Sequence, residues 1–184
     1  TLHDAIGDFP RHKAQTLRFS CGAPRSATAI GDGSRALFLR SDGPEDLVTS
    51  LWLSVFDADG THREVLLADP RVLLADADDE VRRERAREGG SGIVSYSVDA
   101  AGRRVVFTIN GQLFLTEIAE DGSGRTRMLA ADGIAAGEGA TPVLNPRISP
   151  DGRHVAYTTG EHLMLVDIAP QWPSASRHDD GTDD

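Results

Sequence analysis

A chain of 184 residues carries 19 Lys plus Arg against 29 Asp plus Glu, a net charge of −10, with 39% hydrophobic residues, 19 Gly and 9 Pro. That negative field repels phosphate backbones and anionic lipid, which makes nucleic acid and membrane surfaces poor partners, and no run approaches the roughly 20 apolar residues of a membrane span. A lone cysteine, Cys21, forms no internal disulfide, so the fold must rest on its core, and a reducing cytoplasm suits it.

The wealth of Gly and Pro favours short strands joined by turns over long helices. The opening TLHDAIGDFPRHK has neither the basic nor the apolar region of an export signal. LRFSCGA then reads as strand-like, with Cys21 a small, partly buried hydrophobe and not a nucleophile, since no His lies near it in sequence.

Next comes RSATA, the bend GDGS, the apolar run RALFL and, after an expanded hairpin RSDGPEDLVTS, the run SLWLSVF. DADG turns the chain into REVLLAD. The runs are short, alternate apolar with polar in part, and are bounded by Asp-Gly turns, the sequence form of antiparallel strands. This first four-strand unit covers about residues 24–69.

Between Asp69 and Gly92 lies DADDEVRRERARE. Acids at its start, arginines after them and the pairs Asp78–Arg82 and Asp79–Arg83 at i, i+4 predict a charged helix over about 76–88, capped around Asp76 to Asp78. Only Val81 and Ala86 are apolar, so the segment reads as a solvated excursion, and Glu84 and Glu88 dilute its arginines too far for a nucleic-acid patch.

The first pattern then returns twice. IGDGSRALFLRSD, DAAGRRVVFTING and SPDGRHVAYTTGE align on Gly33, Gly102 and Gly152, each followed five residues later by an aromatic: Phe38, Phe107 and Tyr157. Downstream, SLWLSVF, QLFLTEI and HLMLVDI align Leu51, Leu113 and Leu163, then Leu53, Leu115 and Leu165, then Phe56, Ile118 and Ile168. Glycine tolerates the positive φ of such a bend, and Pro150 pre-sets φ for a turn position. With IVSYSV and PRIS as first strands, the later units cover about 93–132 and 143–184; the third ends in APQWPSASRHDDGTDD, where the counterpart of EVLLAD is missing.

Four antiparallel strands repeating at roughly 40 to 50 residues are the signature of β-propeller blades. The fold class is therefore all-β: two complete blades, one partial blade and one short charged helical insertion. A blade shields its faces only against other blades, so the chain reads as part of a longer protein.

The segments FPRHKAQTLRFSCGAPRSATAIGDGSRALFLRSDGPEDLVTSLWLSVFD, VRRERAREGGSGIVSYSVD and above all NPRISPDGRHVAYTTGEHLMLVDI resemble the N-terminal propeller of bacterial prolyl oligopeptidase-family serine peptidases, in the dipeptidyl peptidase IV-like branch. The likeness runs from about Phe9 to Ile168. It implies an eight-bladed propeller gating peptide substrates toward a C-terminal α/β-hydrolase domain with a Ser-Asp-His triad. It also implies a pair of Glu residues, beyond the region matching the third unit, that binds the substrate's amino group.

The chain itself offers no catalytic, cofactor-binding or metal residue. There is no G-x-S-x-G; the nearest stretch, Gly89-Gly90-Ser91-Gly92, lacks the spacing. The six His form no HExxH, and Asp57-Ala58-Asp59-Gly60 and Glu120-Asp121-Gly122 lack the later ligands of a calcium loop and read as turns. Trp52, Phe107, Phe114 and Tyr157 fall at repeat-equivalent core positions, His154 and His162 at surface ones, and Trp172 reads as a loop anchor. The function expected is gating in a serine exopeptidase. The alternatives are a non-enzymatic TolB-like propeller that binds proteins, and a β scaffold that completes itself as a homo-oligomer.

Overall fold

Consecutive stretches of the chain build three antiparallel sheets in the computed structural model, which describes residues 2–16, 18, 20–75, 92–129 and 141–168. The first sheet is β1 (Arg25–Ile30), β2 (Arg35–Arg40), β3 (Ser50–Phe56) and β4 (His62–Ala68), in that order. The second is β5 (Tyr96–Val98), β6 (Arg104–Ile109), β7 (Gln112–Ile118) and β8 (Gly124–Met128). The third holds β9 (Val143–Ile148), β10 (His154–Thr159) and β11 (His162–Asp167). These meandering sheets are propeller blades, and the aligned sequence positions take the same place in each.

The three bend glycines all adopt left-handed backbone, with φ of 91° at Gly33, 67° at Gly102 and 71° at Gly152. Each donates its N–H to the carbonyl three residues back: Ile30, Asp99 and Ser149. The far end of the unit repeats too. Phe56, Ile118 and Ile168 each donate N–H to the carbonyl of the residue after the bend glycine, at 2.8, 2.7 and 2.7 Å.

Because strand side chains alternate between faces, each sheet has two distinct surfaces. Leu37, Leu39, Leu51, Leu53 and Val55 of the first sheet pack with Val105, Phe107, Ile109, Phe114 and Ile118 of the second. The alternate residues of the second sheet, Val106, Leu113 and Leu115, pack with Val143, Ile148, Val155, Tyr157 and Ile168 of the third. The middle sheet is thus buried on both faces, which accounts for the near-continuous apolar run Val105-Val106-Phe107. Each fully buried Leu or Phe contributes about 1.5–3 kcal/mol relative to exposure.

Two features differ from the sequence reading. Leu2–Gln15 forms helix α1, with His12 and Lys13 in its last turn, where cations complement the helix dipole. The described residues of LRFSCGA, Arg18 and 20–23, lie in turns and a bend and not in a strand: Ser20 and Cys21 both donate N–H to the Thr16 carbonyl, so the backbone folds back on the helix end. The second difference is helix α2, Pro70–Ala75, which starts earlier than the predicted insertion. Asp69 caps it, its carboxylate accepting the Arg71 N–H at 2.9 Å, with Pro70 at the position where a missing N–H costs nothing. The predicted helix over 76–88 lies outside the described residues.

Candidate functional site

The candidate site is the joint between sheets together with the edge formed by the first strands, because a bend glycine stands at both joints and a positive-φ irregularity recurs on two of the three edges. The bend glycine of one sheet rests on the preceding sheet at one fixed place. A Cβ on Gly102 would come within 2.7 Å of Ile30 Cβ, and one on Gly152 within 2.9 Å of Asp99 Oδ2. Ile30 and Asp99 both stand three residues before their own bend glycine. At Gly33 a Cβ would meet nothing within 4 Å.

Polar groups fix the same joints. The Tyr96 hydroxyl faces the Ser26 carbonyl at 2.6 Å and the Leu37 carbonyl at 3.0 Å, with Thr28 Oγ1 also at 3.0 Å, so one ring pins the second sheet to two strands of the first. Burial pushes the phenol upward from its ordinary value, and the Thr28 hydroxyl only partly offsets that. Arg104 donates to the Gly152 carbonyl at 2.7 Å while paired with Glu117 at 3.3 Å. Ser97 Oγ accepts from the Ile148 N–H at 3.2 Å, and Arg63 donates to the Asp121 carbonyl at 2.7 Å.

The first-strand edge has a repeated irregularity. Ser26 and Asn145 carry φ of 54° and 51°, and both stand seven residues before their bend glycine. The register of β1 against β2 shifts at the first, and that of β9 against β10 at the second, so both are β-bulges. Arg25, Pro146 and Arg147 flank them. Bulges, Pro and cations on an edge strand all oppose pairing with another extended chain.

The outer face of the first sheet departs from the repeat. Arg40 stands where the second sheet has Ile109; its guanidinium lies over Trp52 at 4.5 Å and Phe38 at 5.3 Å and is held by Glu64 at 2.7 Å. Trp52 is therefore only half-buried and not a core residue as its repeat position predicted, whereas Phe38, Phe107, Phe114 and Tyr157 are buried. His162 is exposed and His154 half-exposed, as expected for surface positions. On the same face as Trp52, Ser54 Oγ and His62 Nε2 lie 2.8 Å apart, and His62 stacks on Phe56 at 4.6 Å. A nucleophilic serine needs a group to orient its histidine as well. Among the described residues no carboxylate pairs with His62, and the contact acts as a cross-strand hydrogen bond.

Among the described residues no group of three or more His, Cys, Asp or Glu is gathered as a metal would need, and no helix is long and apolar enough to cross a membrane. A crevice of about 570 Å³ runs beside Arg103, Arg104, Glu117, Glu120 and Asp121. Its ions are already engaged: Arg103 with Glu120 at 3.0 Å, Arg104 with Glu117, and Asp121 with the Ser123 hydroxyl and N–H at 2.7 and 2.8 Å, which hold that carboxyl below its usual range. Asp59 likewise accepts the Thr61 N–H at 2.8 Å, so both acidic loops are turns. Of the Gly89–Gly92 stretch, only Gly92 is described; it bridges to Thr49, and a Cβ there would overlap the Thr49 carbonyl.

The Asn145-Pro146 pair was a legible turn signal inside a strand. The Ser26 bulge, the Arg40 lid and the Ser54–His62 pair have no signal of their own in the sequence, because each depends on cross-strand register.

No protein-family model matches the chain. Among solved structures it is similar to a hypothetical selenium-binding protein from Sulfolobus tokodaii, with 15% identity and a TM-score of 0.48, over 74% of this chain and 32% of that one. It is also similar to 6-phosphogluconolactonase-like proteins from Bacteroides fragilis (14%, TM-score 0.41, 79% and 38% of the two chains) and Bacteroides uniformis (17%, 0.39, 79% and 39%). The chain spans 32% to 39% of the length of these proteins. The assignment to β-propeller blades rests on the three stacked sheets themselves.

Proposed function

We propose that the chain is the propeller section of a serine exopeptidase of the prolyl oligopeptidase family, in the dipeptidyl peptidase IV-like branch, and that it gates peptides toward an α/β-hydrolase domain outside this segment. Supporting the reading is the likeness of the segments quoted above, most of all NPRISPDGRHVAYTTGEHLMLVDI, and it is largely from this last segment that the third sheet is built. The first-strand edge supports it physically. In a ring of blades this edge faces the passage, and a passage for extended peptides must not capture them by strand pairing. The bulges at Ser26 and Asn145 and the residues Arg25, Pro146 and Arg147 oppose such capture.

In this reading the segment supplies no catalytic group. The experiment is to determine the full reading frame. A G-x-S-x-G with Asp and His after it, several hundred residues downstream, is the expected result; a frame that ends after further blades would replace this reading with a TolB-like binding propeller.

A further inference from the structure

We infer that the first-strand edge is a cationic selector: Arg25 and Arg147 draw carboxylate-bearing peptides into the passage, whether the carboxylate is a free C-terminus or an acidic side chain. The inference rests on the gating reading above and names the class of peptide that the gate favours. Its ground is a segregation of charge. The chain as a whole carries −10, yet the three first strands, RSATAI, YSV and VLNPRI, hold two arginines and no Asp or Glu.

Five other arginines are neutralised where they stand: Arg40, Arg63, Arg71, Arg103 and Arg104 each have a carboxylate within 4.0 Å. Arg25 and Arg147 have only neutral oxygens among the described residues. Nη2 of Arg25 donates to Thr49 Oγ1 at 3.0 Å and to the Ile93 carbonyl at 3.5 Å. Nη1 of Arg147 donates to the Pro146 carbonyl at 3.2 Å. A guanidinium has five N–H donors in a fixed fork, so Nε and Nη1 of the first, and Nε and Nη2 of the second, are left for a carboxylate to engage. Both residues are exposed.

The bulges fix where the two cations stand. Arg25 pairs with Leu39 and Arg147 with Ala156, each bounding one end of its bulge, with Thr28 and Leu144 at the other ends. Such an irregularity re-aims the side chains beside it. The first bulge is held from the second sheet, through the Tyr96 hydroxyl on the Ser26 carbonyl. The anchors of Arg25 are buried, Thr49 at 6% and Ile93 at 0% exposure, so the guanidinium is pre-organised and loses less freedom on binding. An exposed ion pair contributes little, so the edge attracts peptides without retaining them, while the acidic remainder of the surface repels them.

The test is an amide NMR titration of the 184-residue chain with N-acetyl-Ala-Pro-Ala, its C-terminal amide, and N-acetyl-Ala-Pro-Asp amide. The free acid and the Asp peptide are expected to move signals in the stretches 25–28 and 144–147, and the neutral amide to leave them in place. Comparing the two acids separates a terminal carboxylate from a side-chain one. Arg25→Gln should weaken the response at 25–28 about two- to fivefold and spare 144–147, and Arg147→Gln should do the reverse. Unchanged signals elsewhere show that each variant keeps its fold. Equal shifts with the neutral amide, no shift with either acid, or responses that persist undiminished in both variants would overturn the inference. The peptidase reading is decided on the reading frame, so either can fail alone.

Discussion

Replacing each bend glycine by alanine separates the conformational demand of the turn from the contact between blades. All three glycines have φ between 67° and 91°, so the backbone penalty for a Cβ is shared, about 1–2 kcal/mol. At Gly33 that is the whole cost, because the added methyl meets open space. At Gly102 the methyl would sit 2.7 Å from Ile30 Cβ and 3.2 Å from the Gly31 nitrogen, which adds an overpacking cost of about 1–3 kcal/mol. Gly33→Ala should therefore destabilise by about 1–2 kcal/mol and Gly102→Ala by about 2–5 kcal/mol. Gly152→Ala falls between, since the nearest group is the Asp99 carboxylate, a side chain, although one tied to the Arg103 and Arg104 N–H groups at 2.8 and 3.1 Å. Guanidinium unfolding of the three variants in parallel, fitted with a common m-value, measures the differences. If Gly33→Ala costs as much as Gly102→Ala, the glycines serve the bend alone, and the sheets do not stack through these positions.

Tyr96→Phe removes the hydroxyl that joins the second sheet to β1 and β2 and should cost about 1–2 kcal/mol, read by the same unfolding assay; no loss would mean that the bond does not stabilise the joint. Raising the pH should abolish that contribution, because a phenol shifted upward is neutral and bonded below its unfolded value and loses the bond as pH rises through the folded one. Burial pushes the Asp46 carboxyl up, but the Arg71 guanidinium at 2.5 Å and the Val48 and Asp42 N–H groups outweigh it and hold the carboxyl below its ordinary range. The attachment of loop 41–49 to α2 is then complete above about pH 4 and lost as pH falls further. Limited proteolysis of this loop should accelerate in acid, and Arg71→Met should give the same acceleration at neutral pH. An Ala-Pro chromogenic dipeptide should stay intact with this segment alone, and measurable release of the dye would contradict the assignment of the chemistry to another domain.

The blades were legible because their signals are local. A glycine that must take positive φ, an acidic turn whose carboxylate bonds two residues on, and an aromatic five residues after the bend can all be read without knowing what lies across the sheet. α1 escaped because DAIGDFPRHK contains Gly7 and Pro10, which weaken its helical reading, and because its residues 7–15 are exposed and show no buried apolar stripe to mark it. The lid of Arg40 over Trp52 and the Ser54–His62 pair need the register of β2, β3 and β4 before they exist. The exposure of Leu163 and Leu165 was beyond any reading of single residues: they match Leu113 and Leu115 in type and place and differ only in what covers them. Of the candidate site only the bend glycines Gly33, Gly102 and Gly152 were legible; the polar groups that fix the joints, Tyr96 and Arg104 among them, were not, because their partners lie on another sheet.

The middle sheet is clad on both sides and its neighbours on one. Amide protons of β6 and β7 should therefore exchange with solvent only when the whole stack comes apart, while those of β2, β3, β10 and β11 leave by smaller openings at the ends. Protection would peak near the centre of the described chain and fall toward both limits, a gradient set by the order of the blades.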